Sequence, residues 1–186
     1  MFRKAHYLAI LAVAAVAAVA LFSATPGAQA RAATCAHAHA AAADASRADA
    51  AEATVCLINA VRRAHGLSTL RLDPRLSSAA RGHSRDMVRR RYFAHYTPEG
   101  LSPAHRIRGT GYLAGNRRWL VGETLAWWSG AATPATIVTA WMHSPPHRHV
   151  LLEPSFRDVG IGLVLGTPRP RRRGGATYTA DFGVKW

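Results

Sequence analysis

Two segments near the C-terminus restrict the fold of this chain more than anything else in it. "DVGIGLVLG" alternates Val159, Ile161, Leu163 and Leu165 with Gly160, Gly162, Val164 and Gly166, and "TYTADFGVKW" alternates Tyr178, Ala180, Phe182, Val184 and Trp186 with smaller or polar residues. A period of two puts every second side chain on one side, so each segment reads as a strand with one face of large side chains. The arginine-rich "TPRPRRRGGA" joins them as a long hairpin loop, and "RWLVG" supplies a third strand that ends near Glu123. Upstream the spacing is helical. "TVCLINAVRRAHG" carries Leu57, Val61 and Ala64 on one stripe, with Gly66 as a stop. Asp73 caps the next helix, Pro74 suits its first turn, and Leu76, Ala79, Ala80, His83 and Met87 form its stripe. His83 on that stripe is expected to be a hydrogen-bonded core imidazole rather than a catalytic one. A further helix opens at Thr133-Pro134, carries Ile137, Val138, Trp141 and Met142, and must end at Pro145-Pro146. Helices first and antiparallel strands late make the class α+β, not a parallel doubly wound sheet.

The N-terminus divides into two further parts. Arg3 and Lys4 precede an apolar run from Leu8 to Leu21, and "FSATPGAQA" ends in the A-x-A pattern Ala28-Gln29-Ala30. Residues 1–30 read as a secretory signal peptide. The rival reading is a membrane anchor, for which about fourteen apolar residues are short of the roughly twenty that a span needs. Residues 31–52 form an alanine-rich arm, a lead-in helix or a loose segment with solvated His37 and His39, and 53–186 form the domain. Cys35 and Cys56 are the only cysteines. An oxidising compartment favours a disulfide between them over two free thiols. One straight helix would hold them roughly 30 Å apart, so a bridge requires the arm to fold back.

The formal charge is +14, of which Arg3 and Lys4 contribute two. Runs at Arg89-Arg90-Arg91 and Arg171-Arg172-Arg173 suit a polyanion such as an anionic membrane or a cell-wall polymer, or are simply solvated. No nucleic-acid motif accompanies the charge, so no specific nucleic-acid partner is expected, and the chain is read as a monomer. The chain contains no HExxH, no phosphate-cradling GxxxxGK[ST], no GxSxG and no dinucleotide fingerprint. What remains for chemistry is histidine with carboxylate. "YFAHYTPEG" sets His95 just past a helix, "VGETLAWW" sets Glu123 at a strand end, and "SPPHR" sets His147 after a helix end. Such element boundaries suit groups that converge in a cleft.

At these residues the chain resembles the secreted CAP proteins (cysteine-rich secretory proteins, antigen 5 and plant pathogenesis-related proteins), and most of all their short bacterial members. "CLINAVRRAHGLSTLRLDPRLSSAARGHSRDM" is similar to the family's opening helices, "FAHYTPEG" to its F-x-H-x-S-P-x-G turn and "GETLAWW" to its GENLA segment. "SPPHRHVLLEPSFRDVGIG" is similar to SPGHRxNILNPxFxxVGVG, and "YTADFG" to the closing strand. The resemblance implies a three-layer α-β-α sandwich with a small antiparallel sheet between helices. It also implies a cleft of two histidines and two glutamates. Three members fall on His95, Glu123 and His147, while the place of the second glutamate, counted from Trp141, holds Ser144. Thr124, Pro146 and Val150 replace the family's asparagine, glycine and asparagine. His143 and His149 then belong to the surface or helix ends.

His95, Glu123 and His147 have three readings: a hydrogen-bonded cluster that braces loops, a divalent metal site such as zinc, or a hydrolytic centre with a general base. The functional expectation is a secreted binding or effector module for a lipid or cell-envelope ligand, with a metal-assisted hydrolase of peptide or wall polymer as the rival. Trp119, Trp127, Trp128 and Trp141 either line an apolar groove beside the cleft or belong to the core.

Overall fold

The computed structural model describes residues 35–169 and 175–186. The signal-peptide reading of residues 1–30 and the run Arg171-Arg172-Arg173 lie outside the described residues. Among the described residues no helix is long and apolar enough to cross a membrane.

Helix α1 (Arg47–Ala64) starts where the Ser46 hydroxyl accepts from Asp49 N at 3.1 Å, and gives way to Gly66 at φ 70°. The alanine-rich arm does fold back. Cys35 and Cys56 form a disulfide with their Cα atoms 5.8 Å apart. Ala38 and Ala42 are buried, and the arm exchanges backbone bonds with residues 132–135 (Ala42 N to Ala132 O, 3.1 Å; Ala135 N to Ala38 O, 2.9 Å). Small side chains permit that close backbone approach. His37 and His39 are exposed.

A short strand β1 (Arg71–Leu72) leads to α2 (Pro74–Arg90), capped by the Asp73 carboxylate on Arg75 N and Leu76 N. The buried face of α2 is the expected stripe with Ser84 added. After α3 (Pro103–Gly109) come β2 (Trp119–Trp128), α4 (Pro134–His143), α5 (Pro145–Leu151), β3 (Asp158–Leu165) and β4 (Ala176–Lys185). The proline pair ends α4 as expected, and it also opens α5, because proline fits the first turn of a helix.

The sheet runs β1-β3-β4-β2. Its three long strands are antiparallel, but β1 pairs in parallel with β3, Arg71 opposite Asp158 and Leu72 opposite Val159. The sheet is therefore mixed rather than purely antiparallel, since β1 enters from a helix on the far side instead of from a hairpin.

Gly160 and Gly162 determine how α2 sits. A Cβ on either would lie 2.1 Å from the α2 backbone, at Leu76–Ser77 and Ala80–Arg81 respectively. The alternation thus presents two different surfaces, a bare face that α2 lies directly against and a face of Val159, Ile161 and Leu163. The second face packs with Ile58 of α1 and with Ile137 and Trp141 of α4. Helices cover both sides of the sheet, the expected three-layer α-β-α sandwich.

Candidate functional site

β2 carries Glu123 in the middle of a continuous ten-residue strand, not at a strand end. In register it faces Asp181 of β4. The carbonyl of Arg118 accepts from Trp186 N on the β4 side, so even-numbered residues of β2 bond to β4 and Glu123–Asp181 is a non-hydrogen-bonded pair. Side chains come closest in such pairs.

The loop after α2 brings His95 to this strand. Its path is held by His83, 1% exposed, whose Nε2–H donates to Ala94 O at 2.9 Å. Burial depresses the His83 pKa, with Glu123 opposing, so the ring is neutral. It is the core imidazole expected from its stripe position, and it places the residue next to His95.

His95 Nδ1 donates to Glu123 Oε1 at 2.7 Å. On the other oxygen, Arg106 of α3 donates through Nη2 to Oε2 at 2.5 Å. The Glu123 side chain is 1% exposed, Arg106 11% and His95 47%. Arg106 also donates through Nη1 to His95 O at 2.9 Å and Leu101 O at 3.0 Å. One guanidinium thus neutralises the buried carboxylate and fixes the loop that carries the imidazole. Reading the sequence missed Arg106, and nothing local marks it among 24 basic residues. The usable signal was the demand itself: a buried glutamate needs a cation.

Asp181 was missed as well. It is fully buried, and neither carboxyl oxygen receives a hydrogen bond from a donor. Burial pushes its pKa well above the usual carboxylate range, the charge of Glu123 adds to this, and Arg106 opposes it. A neutral Asp181 is a donor, and Glu123 is the acceptor beside it, whereas two bare carboxylates would repel.

His147 follows the end of α4 as expected, lies inside the next helix, α5, and is half-buried. Its Nδ1 is buried without a partner. Burial lowers its pKa and the nearby His95 adds to the effect, which places the two imidazoles in each other's field. Ser144 caps α5 through its backbone position only, with no side-chain bond to the helix. Thr124 Oγ1, where the family motif has asparagine, is buried without a partner. His143 and His149 are exposed, and His143 Nδ1 bonds Thr139 O in its own helix at 2.8 Å. Trp141 is core and donates Nε1 to Leu125 O at 3.1 Å, whereas Trp119 and Trp127 are half-buried and Trp128 is exposed.

Among the described residues no three His, Cys, Asp or Glu side chains gather as a metal-binding group. Both oxygens of Glu123 are engaged, so its carboxylate fits the role of an outer partner that orients His95 and leaves Nε2 of that ring outward. His147, kept neutral, retains a lone pair at neutral pH. The residues suited to a divalent ion are therefore His95 and His147, with Glu123 behind rather than as a ligand.

The model of the Cysteine-rich secretory protein family, CAP, matches residues 55–180. The chain belongs to the CAP family. His95, Arg106, Glu123, His147 and Cys56 lie inside the matched span, while Cys35 precedes it. The uncharacterized protein YkwD of Bacillus subtilis (strain 168) is 38% identical over 108 residues, covering 58% of this chain and 40% of the relative. The uncharacterized membrane protein YlbC of the same organism is 32% identical over 130 residues, covering 70% and 33%. The chain therefore spans well under half the length of these two relatives. Its fold is similar to that of an extracellular protein containing an SCP domain from Bacillus anthracis, with a TM-score of 0.57, 26% identity, and 71% and 39% of the two chains covered. An outer surface protein from Borrelia burgdorferi has a similar fold, with a TM-score of 0.58 and 21% identity, covering 71% of this chain and 90% of that one.

Proposed function

We propose that this CAP domain is an extracellular binding module that takes a single-chain, acidic amphiphile into a groove between α1 and α4. The observation that carries this reading is the groove itself. It has a volume of about 610 Å³, its walls include Leu57, Val61, Val138 and Met142, and His39, His65 and His143 stand around it. That volume is within the usual range for small-molecule sites, roughly 300–1,000 Å³. Apolar walls with imidazoles beside them suit an acyl chain with an acidic head. The tryptophans named from sequence do not line the groove. An extracellular location is supported by the two solved relatives, one an extracellular protein and one an outer surface protein, and by the Cys35–Cys56 disulfide. In this reading the His95–Glu123–Arg106 cluster braces the loop after α2.

The test is calorimetric titration with a long-chain fatty acid. Ala60→Trp fills the groove from α1 and is expected to weaken binding at least tenfold, whereas His95→Ala leaves it unchanged. Equal affinity in the wild type and Ala60→Trp would remove the groove from consideration.

A second reading rests on two imidazoles, His95 and His147, that lie in each other's field, with Nδ1 of His147 unpartnered. His95 and His147 would hold a divalent zinc-like ion, which when bound supplies a polarised water for hydrolysis of peptide or wall polymer. Zinc binding lost in both His95→Ala and His147→Ala supports it. Absence of zinc uptake by the wild type rejects it.

A further inference from the structure

Among the described residues β2 is an edge strand of the sheet, with a strand neighbour on one side only. Two hydrogen bonds show which of its backbone groups face outward. Arg118 O accepts from Trp186 N on the β4 side, and Leu125 O accepts the indole of Trp141 on the opposite side. Pairing with β4 is continuous from Trp119 to Trp128, so the odd-numbered residues all turn their N–H and C=O away from the sheet. Trp141 covers the carbonyl at Leu125. Among the described residues no hydrogen bond closes on the outward backbone groups of Trp119, Val121 or Glu123.

Glu123 itself marks the edge as open. Its side chain is 1% exposed but the residue as a whole is 7% exposed, so what solvent reaches is mainly backbone. The usual protections of an edge strand are missing, because "WLVGETLAWW" contains no proline and no lysine, and its one charge points into the cleft. A row of alternating donors and acceptors at strand spacing is matched by one kind of ligand, another extended backbone.

Charge identifies that ligand further. Arg108 stacks over Trp119 and Arg118 over Trp186, each at 5.5 Å, and Arg117 is exposed at the start of the strand. None of these three arginines has a carboxylate partner among the described residues, and the one acid on β2, Glu123, is already neutralised by Arg106. A second copy pairing through the same edge would bring these like charges together. We propose that an extended acidic peptide docks on β2 by strand addition opposite residues 119–123, with its acidic side chains toward Arg108, Arg117 and Arg118. The docked strand ends at Glu123, whose carboxylate holds His95, so it leads into the histidine cleft. The proposal is independent of the α1–α4 groove.

The probe is a fluorescein-labelled peptide alternating glutamate and valine, followed by anisotropy. Its counterpart is the same sequence N-methylated at alternate residues, which keeps the charge and removes backbone donors. The unmodified peptide is expected to bind and the N-methylated one to lose at least tenfold. Amide hydrogen exchange at Val121 and Glu123 should slow on binding. Val121→Pro, which removes one outward donor on an edge strand where proline is tolerated, should weaken binding similarly with an unchanged circular dichroism spectrum. Equal binding of the N-methylated peptide, or unchanged exchange at both amides, overturns strand addition in favour of charge alone. Sedimentation that shows a dimer, displaced by Val121→Pro, overturns it in favour of a second copy.

Discussion

Arg106 is the residue on which the cleft depends. It is the counter-ion of a carboxylate that is 1% exposed, and it bonds two carbonyls of the loop carrying His95. Removing one partner of a buried pair leaves an uncompensated charge, which costs about 3–5 kcal/mol. Arg106→Ala should lower the unfolding free energy by that order in urea titration, and Glu123→Gln by less, because the guanidinium it leaves behind keeps its bonds to the His95 and Leu101 carbonyls. Asp181 gives the complementary pH prediction. Its folded pKa is raised by burial, so folding favours the protonated form. That stability is fully present below the ordinary carboxyl range and is lost as pH rises toward the elevated folded value. One proton corresponds to at most about 1.4 kcal/mol per pH unit. Asp181→Asn, which keeps a donor toward Glu123, should remove this decline from a plot of unfolding free energy against pH. An unaltered slope would show that Asp181 is ionised.

At the scale of elements, α2 and β3 meet through missing side chains. Gly160 and Gly162 have no space for a Cβ, because the backbone of α2 occupies it. Gly162→Ala must push the helix and with it the loop that ends in His95, so a loss near the upper end of the overpacking range, about 3 kcal/mol, is expected in chemical denaturation. His95 resonances should move with it. The strand period was legible from the alternation alone. That the glycine face is the seat of a helix was not, since a bare face reads equally well as a solvent face. The disulfide, for its part, ties the arm to α1. Cys35→Ser with Cys56→Ser should reduce stability by about 2–5 kcal/mol, read as a lower thermal midpoint under oxidising conditions and no difference under strong reductant.

At the scale of the whole molecule, a charge of +14 on 186 residues sets 24 basic against 10 acidic residues, and four of those ten carboxylates, Asp86, Glu99, Glu123 and Asp158, are already paired with an arginine. Retention on an anionic polymer column should therefore fall steeply with added salt and be the same in His95→Ala, a result that separates bulk attraction from anything done in the cleft. The sequence by itself determined the helix stripes, the Asp73 cap, the strand alternation, the cysteine pair and the order of motifs that marks a CAP domain. The stripes, the cap and the alternation are local patterns with periods of 3.6 and two, the motifs are ordered along the chain, and the cysteine pair follows from there being only two cysteines. Only the tertiary structure decided that Glu123 sits in mid-strand opposite Asp181, that Arg106 and not a neighbouring arginine neutralises it, and that β2 is left as an open edge. A carboxylate's partner depends on strand register and on where a distant helix lands, and no spacing along the chain encodes either.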